Sequence, residues 1–228
     1  MQIINLTRKH PYKLYIDTSF AFNFKYFKET WIFNCNQGCQ HILAHKNIKI
    51  SQISKIIITE LHVENISGLL GLLSSLSLIN RSKGLHIYSP AGLEKYIELG
   101  KKYSQTKFHY NLYLHVIKTG LIINNYTHHV YTLINDKYRL EFNIINKETY
   151  GKFELNKAKS FNLTVGPLYA RLKQGYKFVL PDGYILAGNN FTSKNSPGIK
   201  ISFINYKYHQ RSSIEISSKS KIFENKIY

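Results

Sequence analysis

Cys35 and Cys39 are the two side chains most suited to covalent or metal chemistry, and they are the only cysteines in the 228 residues. Their spacing would put both on one side of a helix, half of a metal site. No second Cys/His pair stands at a zinc-finger spacing to complete it. Two thiols cannot build a disulfide framework either, which points to a reducing compartment. The other chemical signal is charge: 31 Lys+Arg against 13 Asp+Glu give a formal net charge of +18. A surface that cationic attracts polyanions, nucleic acid above all. Part of the excess reflects a composition heavy in Ile, Lys, Asn, Phe and Tyr, the residues of A/T-rich codons. That bias raises Lys but does not account for so few acids.

Hydrophobic residues make up 43% of the chain, enough to bury a sizeable core and too many for general disorder. The opening MQIINLTRKHPYKLYID lacks the charged-then-apolar pattern of a signal peptide. No apolar run reaches the roughly 18 residues of a membrane span, so no membrane association is expected. SFAFNFKYF and ETWIFNCN alternate as strands, KIIIT (55–59) reads as a short buried strand, and LHIYSP (85–90) as another. Between the last two, LLGLLSSLSLINRSKG reads as a helix closed by Gly84. AGLEKYIELGKKYSQ follows as an amphipathic helix with Leu93, Tyr96, Ile97 and Gly100 on one face. LYLHVIKTG, HHVYTLI and YRLEFNII return to strands. This order predicts an α/β layered fold. After Glu148 the texture shifts to Gly and Pro, predicting a projecting arm with a short helix, a Gly-Pro turn and a hairpin around Pro181-Asp182-Gly183. KISFINYKY is a further strand, and the tail from Gln210 is expected to fray.

Three segments, in this order, carry a family resemblance. They are WIFNCNQGCQHIL (31–43), the stretch from ISKIIITELHVENISGLLGLLSSLSL to LHIYSPAGLEKYI, and KAKSFNLTVGPLYARLKQGYKFVLPDGYIL. Together they resemble the ribonuclease Z family, the tRNA 3′-processing nucleases of metallo-β-lactamase fold, over residues 31–203. The resemblance implies an α/β, metallo-β-lactamase-like αββα sandwich with a projecting arm and a truncated C-terminal half. The implied domains are a core over 1–148, a flexible arm over 149–198, and a last core strand with a frayed tail over 199–228.

The family hydrolyses RNA with zinc held chiefly by a Thr-His-x-His-x-Asp-His loop, which lowers the pKa of a bound water to near 7. Here that loop reads Thr59-Glu60-Leu61-His62-Val63-Glu64-Asn65. The resemblance implies Glu60, His62 and Glu64 as a reduced ligand set for zinc, with Glu64 at the position of the general base. Asn135 falls where a further histidine belongs, with His128 and His129 nearby, although at most one of that adjacent pair could face a site. Asn205-Tyr206-Lys207 falls where the bridging aspartate belongs. The arm is the better match. Gly166, Pro167, Arg171, Lys173, Gly175 and Lys177 are implied RNA-binding residues: the glycines allow close backbone approach and the cations, with Lys157 and Lys159, offer phosphate contacts. Tyr169 and Tyr176 either stack on RNA or pack the arm.

The leading expectation is a protein of tRNA 3′-end maturation that binds tRNA or precursor tRNA with degraded or absent catalysis, alone, as a homodimer, or paired with an active ribonuclease Z. One alternative is an active zinc-dependent endoribonuclease with the reduced ligand set. The other is a non-enzymatic interaction protein whose charge is compositional. A/T-driven composition together with the resemblance suggests a plastid (chloroplast) protein.

Overall fold

A computed structural model describes residues 2–6, 19–24, 27–126, 128–134, 140–148, 150–195, 197–204 and 211–224. One six-stranded sheet runs in chain order: β1 (Gln2–Asn5), β2 (Phe20–Phe24), β3 (Glu29–Phe33), β4 (Ile53–Ile57), β5 (Leu85–Ser89) and β6 (Leu112–Val116). β1 to β3 pair antiparallel, whereas β3 to β6 pair parallel. Parallel neighbours need crossovers. Helices α1 (Cys39–His45), α2 (Val63–Ile66) with α3 (Leu69–Leu78), and α4 (Leu93–Ser104) supply them.

The crossovers cover one face of that sheet. Leu69, Leu72, Leu73 and Leu76 repeat at helical spacing on α3 and are fully buried with Ile32, Ile56, Leu85 and Ile87 of the strands. Leu93 and Ile97 of α4 join them as expected, and a Cβ on Gly100 would run into Leu70, so α3 and α4 pack closely there. The predicted stop of α3 needs correction. Asn80 adopts φ 53, Asn80 N–H donates to Ser77 O (3.0 Å) and Arg81 N–H to Leu76 O (3.4 Å). That double bond pattern closes the helix four residues before Gly84, because Asn tolerates the left-handed conformation that the closure needs.

The second sheet has the order β13–β12–β9–β8–β7, with β7 (Gly120–Asn124), β8 (His128–Ile134), β9 (Leu140–Asn146), β12 (Ile199–Ile204) and β13 (Lys221–Glu224). Phe203 of β12 stacks on Phe20 of β2 (4.2 Å, 12°) and Phe142 of β9 meets Phe33 edge-on (5.5 Å, 84°). These rings join the two sheets face to face, each pair adding about 0.5–1.5 kcal/mol beyond its buried area. The tail expected to fray instead carries helix α7 (Arg211–Ile216) and β13, which pairs parallel with β12.

The chain divides into two compact units: Met1–Asn124 with Val130–Asn143 and Ile201–Tyr228, and Asn125–His129 with Ile144–Lys200. The second holds α5 (Leu155–Ser160), α6 (Pro167–Lys173) and a hairpin of β10 (Lys177–Val179) and β11 (Ile185–Ala187). It has its own apolar cluster of Ala158, Leu172, Leu186 and Phe191, flanked by Phe153, Leu163 and Tyr169.

Candidate functional site

The loop that follows β4 is laced to the loop that follows β3 by short polar side chains. Asn34, fully buried, sits at φ 54 and continues the β3–β4 pairing through its N–H to Ile57 O (2.9 Å). Its Oδ1 accepts from Thr59 N–H (2.9 Å) and from the Thr59 hydroxyl (3.1 Å). Asn65 anchors the far end: its carbonyl accepts from Cys35 N–H (2.7 Å), and its side-chain amide donates to Glu60 Oε1 (3.3 Å). Gly68 N–H donates to Cys35 O (2.8 Å), and a Cβ on Gly68 would collide with the Asn36 carbonyl. Only glycine fits that approach.

The three residues implied as metal ligands lie on this loop. His62 is exposed and stands at the N-cap of α2, where its Nδ1 accepts from Glu64 N–H (3.4 Å). Glu60 and Glu64 are half-buried. Among the described residues no three His, Cys, Asp or Glu side chains come together as a metal site. The donor set does not fit a two-zinc centre: one imidazole is occupied as a helix cap, and an amide stands at the last histidine position. No catalytic step follows through a metal here. Asn135 and Asn205, Tyr206 and Lys207 lie outside the described residues. His128 and His129 open β8, one buried and the other half-buried, as alternation on a strand requires.

The cysteine pair takes a different form from the expected one. Cys35 lies in the loop before α1 and Cys39 is the helix's first residue, both fully buried, with their sulfurs 2.7 Å apart. Burial and the Cys39 thiol beside it push the Cys35 thiol up, so it stays protonated, packed as a small apolar group.

In the second unit, Gly166 is the N-cap of α6 and Pro167 opens it. Pro167, Arg171, Lys173 and Lys177 are exposed. Gly175, at φ 87, terminates α6: its N–H donates to Leu172 O and Tyr176 N–H donates to Arg171 O. Gly166 is different. Its backbone is extended, and a Cβ there would meet nothing within 4 Å, so neither conformation nor packing demands glycine. Tyr169 packs the unit's interior, tilted against Phe153 (4.8 Å, 35°) with its hydroxyl donating to Leu163 O (2.7 Å), while Tyr176 is exposed. Lys157 is paired with Glu154 at 2.7 Å. Sequence reasoning passed over Asn34 and also His86 and His115, whose ring nitrogens lie 3.0 Å apart across β5 and β6. The alternation of His86, Tyr88 and of Tyr113, His115 was the available signal.

No family model matches the chain. It is 41% identical over 187 residues to the ycf56 protein of Pyropia yezoensis, covering 81% of this chain and 71% of that one. It is 34% identical over 197 residues to ribonuclease Z of Acaryochloris marina, covering 85% of this chain but 62% of that protein's length. Among solved structures, the short form of human tRNase Z aligns with a TM-score of 0.54 at 24% identity over 64% of each chain. That likeness establishes the metallo-β-lactamase-type fold of facing sheets with flanking helices. With the sequence relationships beside it, the chain belongs to the ribonuclease Z family.

Proposed function

We propose that this chain acts in tRNA 3′-end maturation as a tRNA-binding protein whose own cleavage is degraded or lost, with the segment 149–198 as its RNA-gripping arm. The observation that carries the proposal is a contrast within one chain. The loop that would hold metal has its donors engaged in structural bonds, with Glu60 on Asn65 and His62 capping α2. The arm keeps exposed Arg171, Lys173 and Lys177 on a segment with seven cations against two acids. Exposed Tyr176 and Tyr184 stand among them, the ring type that stacks on unpaired bases. The bare surround of Gly166 leaves room for a ligand backbone. Pairing with a second copy or with a catalytically active ribonuclease Z would let this arm present RNA to another subunit's site. The ycf56 relatives of red algae and the A/T-driven composition support a plastid setting.

The test is tRNA binding as a function of salt. In Arg171→Ala/Lys173→Ala/Lys177→Ala, each lost phosphate contact should flatten the slope of log affinity against log salt by about 0.7–0.9. A control triple at Lys101, Lys102 and Lys107, all exposed on or just beyond α4, should change it less. Equal losses in both triples would reduce the arm to one part of a diffuse cationic field. The chain alone should leave precursor tRNA uncut with zinc or manganese supplied. Cleavage abolished by Glu64→Ala would restore the active-enzyme alternative.

A further inference from the structure

On the face of the six-stranded sheet that turns away from α1, α3 and α4, side chains line up across the strands. Trp31 pairs with Lys55, Lys55 with His86 and His86 with Tyr113. One step on, Phe33 pairs with Ile57, Ile57 with Tyr88 and Tyr88 with His115. This face is dry at β3, where Trp31 and Phe33 are fully buried, and opens to solvent toward the edge strand β6, where Tyr113 is 45% exposed. His86 and His115 lie at that opening, both half-buried.

The two imidazoles are held as a pair. His86 Nδ1 and His115 Nε2 lie 3.0 Å apart, so one ring donates a proton and the other presents a lone pair. Tyr113 stacks on His86 (4.8 Å, 18°) and Tyr88 stacks on His115 (4.6 Å, 18°). Each ring is thus braced by a tyrosine from the neighbouring strand, and among the described residues neither carries a hydrogen bond beyond the one shared proton.

We propose that His86 and His115 form a two-imidazole chelate for a divalent transition-metal ion of the Cu²⁺ or Ni²⁺ class. With metal–nitrogen bonds of about 2.0–2.1 Å, nitrogens 3.0 Å apart subtend about 94° at an ion. That is the angle between neighbouring corners of a square plane or octahedron, which Cu²⁺ and Ni²⁺ favour, and it is too narrow for tetrahedral zinc. The ion takes the place of the shared proton. The rings are 13° from parallel and their facing nitrogens point along the N···N line, so each lone pair must swing by about 43° to meet the ion. That turn is taken largely at χ2, a soft torsion for histidine, and water from the open side fills the remaining positions. Binding needs both rings neutral. Burial, His115 and Lys55 all hold the His86 pKa below its usual value, which favours that state. Lys55 is the one cation in the row, and Glu29 at 3.8 Å offsets its charge. The site is separate from the loop 59–65 and independent of the tRNA reading.

Cu²⁺ titration of the full chain, followed by electron paramagnetic resonance and by quenching of tyrosine fluorescence, tests the proposal. The rival surface pair is His41 and His45, both exposed and four residues apart on α1. A bound ion with nitrogen hyperfine splitting is expected in the native chain, in His41→Ala/His45→Ala and in His62→Ala. His115→Ala, on the edge strand, should lose that signal with its circular dichroism unchanged, and His86→Ala should do the same. Retention of the signal in both single variants, or its loss only with the α1 pair, overturns the assignment. If His86→Ala fails to fold, His115→Ala decides alone.

Discussion

Asn34→Ala tests whether one side chain holds the loop that carries Glu60, His62 and Glu64. Two separate costs arise at this position. Asn34 adopts φ 54, a left-handed conformation that asparagine tolerates and that costs an alanine about 1–2 kcal/mol. Its Oδ1 also satisfies both Thr59 N–H and the Thr59 hydroxyl. Deleting it strands a backbone donor beside buried Ile58, at about 1–3 kcal/mol. Asn34→Ala should therefore lose about 2–5 kcal/mol. With a urea dependence of about 2 kcal/mol per molar, the unfolding midpoint should fall by about 1–2.5 M. Asn34→Gly separates the two costs, since glycine removes the acceptor but accepts the backbone angle. It should be milder than alanine by about 1 kcal/mol while still well below the native chain. Equilibrium urea unfolding of the three proteins reads both differences. An alanine variant within about 0.5 kcal/mol of the native chain, or a glycine variant no better than alanine, refutes the lock.

Acidification should weaken the fold through His86. Burial holds its pKa below the ordinary imidazole value of about 6.5, so an unfolded chain takes up a proton that the folded one resists. The contribution is present above about pH 6.5 and is lost as pH falls through the lower folded value; His115 and Lys55, the titratable groups facing it, act in the same direction. His86→Gln should flatten the dependence of the urea midpoint on pH between about 5 and 7, and an unchanged slope would rule out this source. Gly68→Ala should prevent accumulation of folded protein, because its Cβ would overlap the Asn36 carbonyl, a backbone atom; a normal melting curve would contradict the close approach. Leu172→Ala, fully buried in the second unit's cluster, should cost about 2–5 kcal/mol. Hydrogen exchange should accelerate in α5, α6 and the hairpin, and uniform acceleration over the chain would mean that this cluster does not stabilise its unit separately.

Most of the framework was legible because the strands obey simple alternation. SFAFNF reads as a strand from alternation and LHIYS as a short buried strand, and β2 and β5 occupy those positions. Boundaries failed where a residue other than glycine accepted a left-handed backbone. Asn47, Asn80 and Asn162 follow α1, α3 and α5 at φ 53 to 55, so a search for glycine stops placed the end of α3 too late. β7 and β13 escaped notice because GLIIN and KIFE are short and sit among turn residues and cations. The site was only half legible. Motif position located Glu60, His62 and Glu64, but no motif says that Asn65 ties Glu60 or that His62 caps α2. Those roles depend on loops distant in sequence. The His86–His115 pair was missed for the same reason: two strands, 29 residues apart, must first be set in register.

Asn65 explains why the loop keeps its shape without an ion. It is buried, its carbonyl holds Cys35 N–H and its amide holds Glu60. An amide has no proton to lose near neutral pH, so this tie is indifferent to the deprotonation that imidazole or thiolate ligands undergo on binding metal. Zinc would have to draw Glu60 from Asn65 and His62 from Glu64 N–H, giving up two hydrogen bonds to gain at most one imidazole and two carboxylates. A ligand that binds only the folded state raises stability by about 2.7 kcal/mol at a hundred times its dissociation constant, so thermal unfolding reports occupancy directly. In a His86→Ala background, which removes the other candidate site, sub-millimolar zinc should leave the melting temperature unchanged. Asn65→His should lower that temperature without metal, because the tie to Glu60 is gone. Zinc should then recover part of the loss, since an imidazole replaces the amide beside Glu60 and His62. A rise with zinc in the Asn65 protein would mean that the amide does not keep zinc from Glu60, and the degraded-catalysis reading would fall with it.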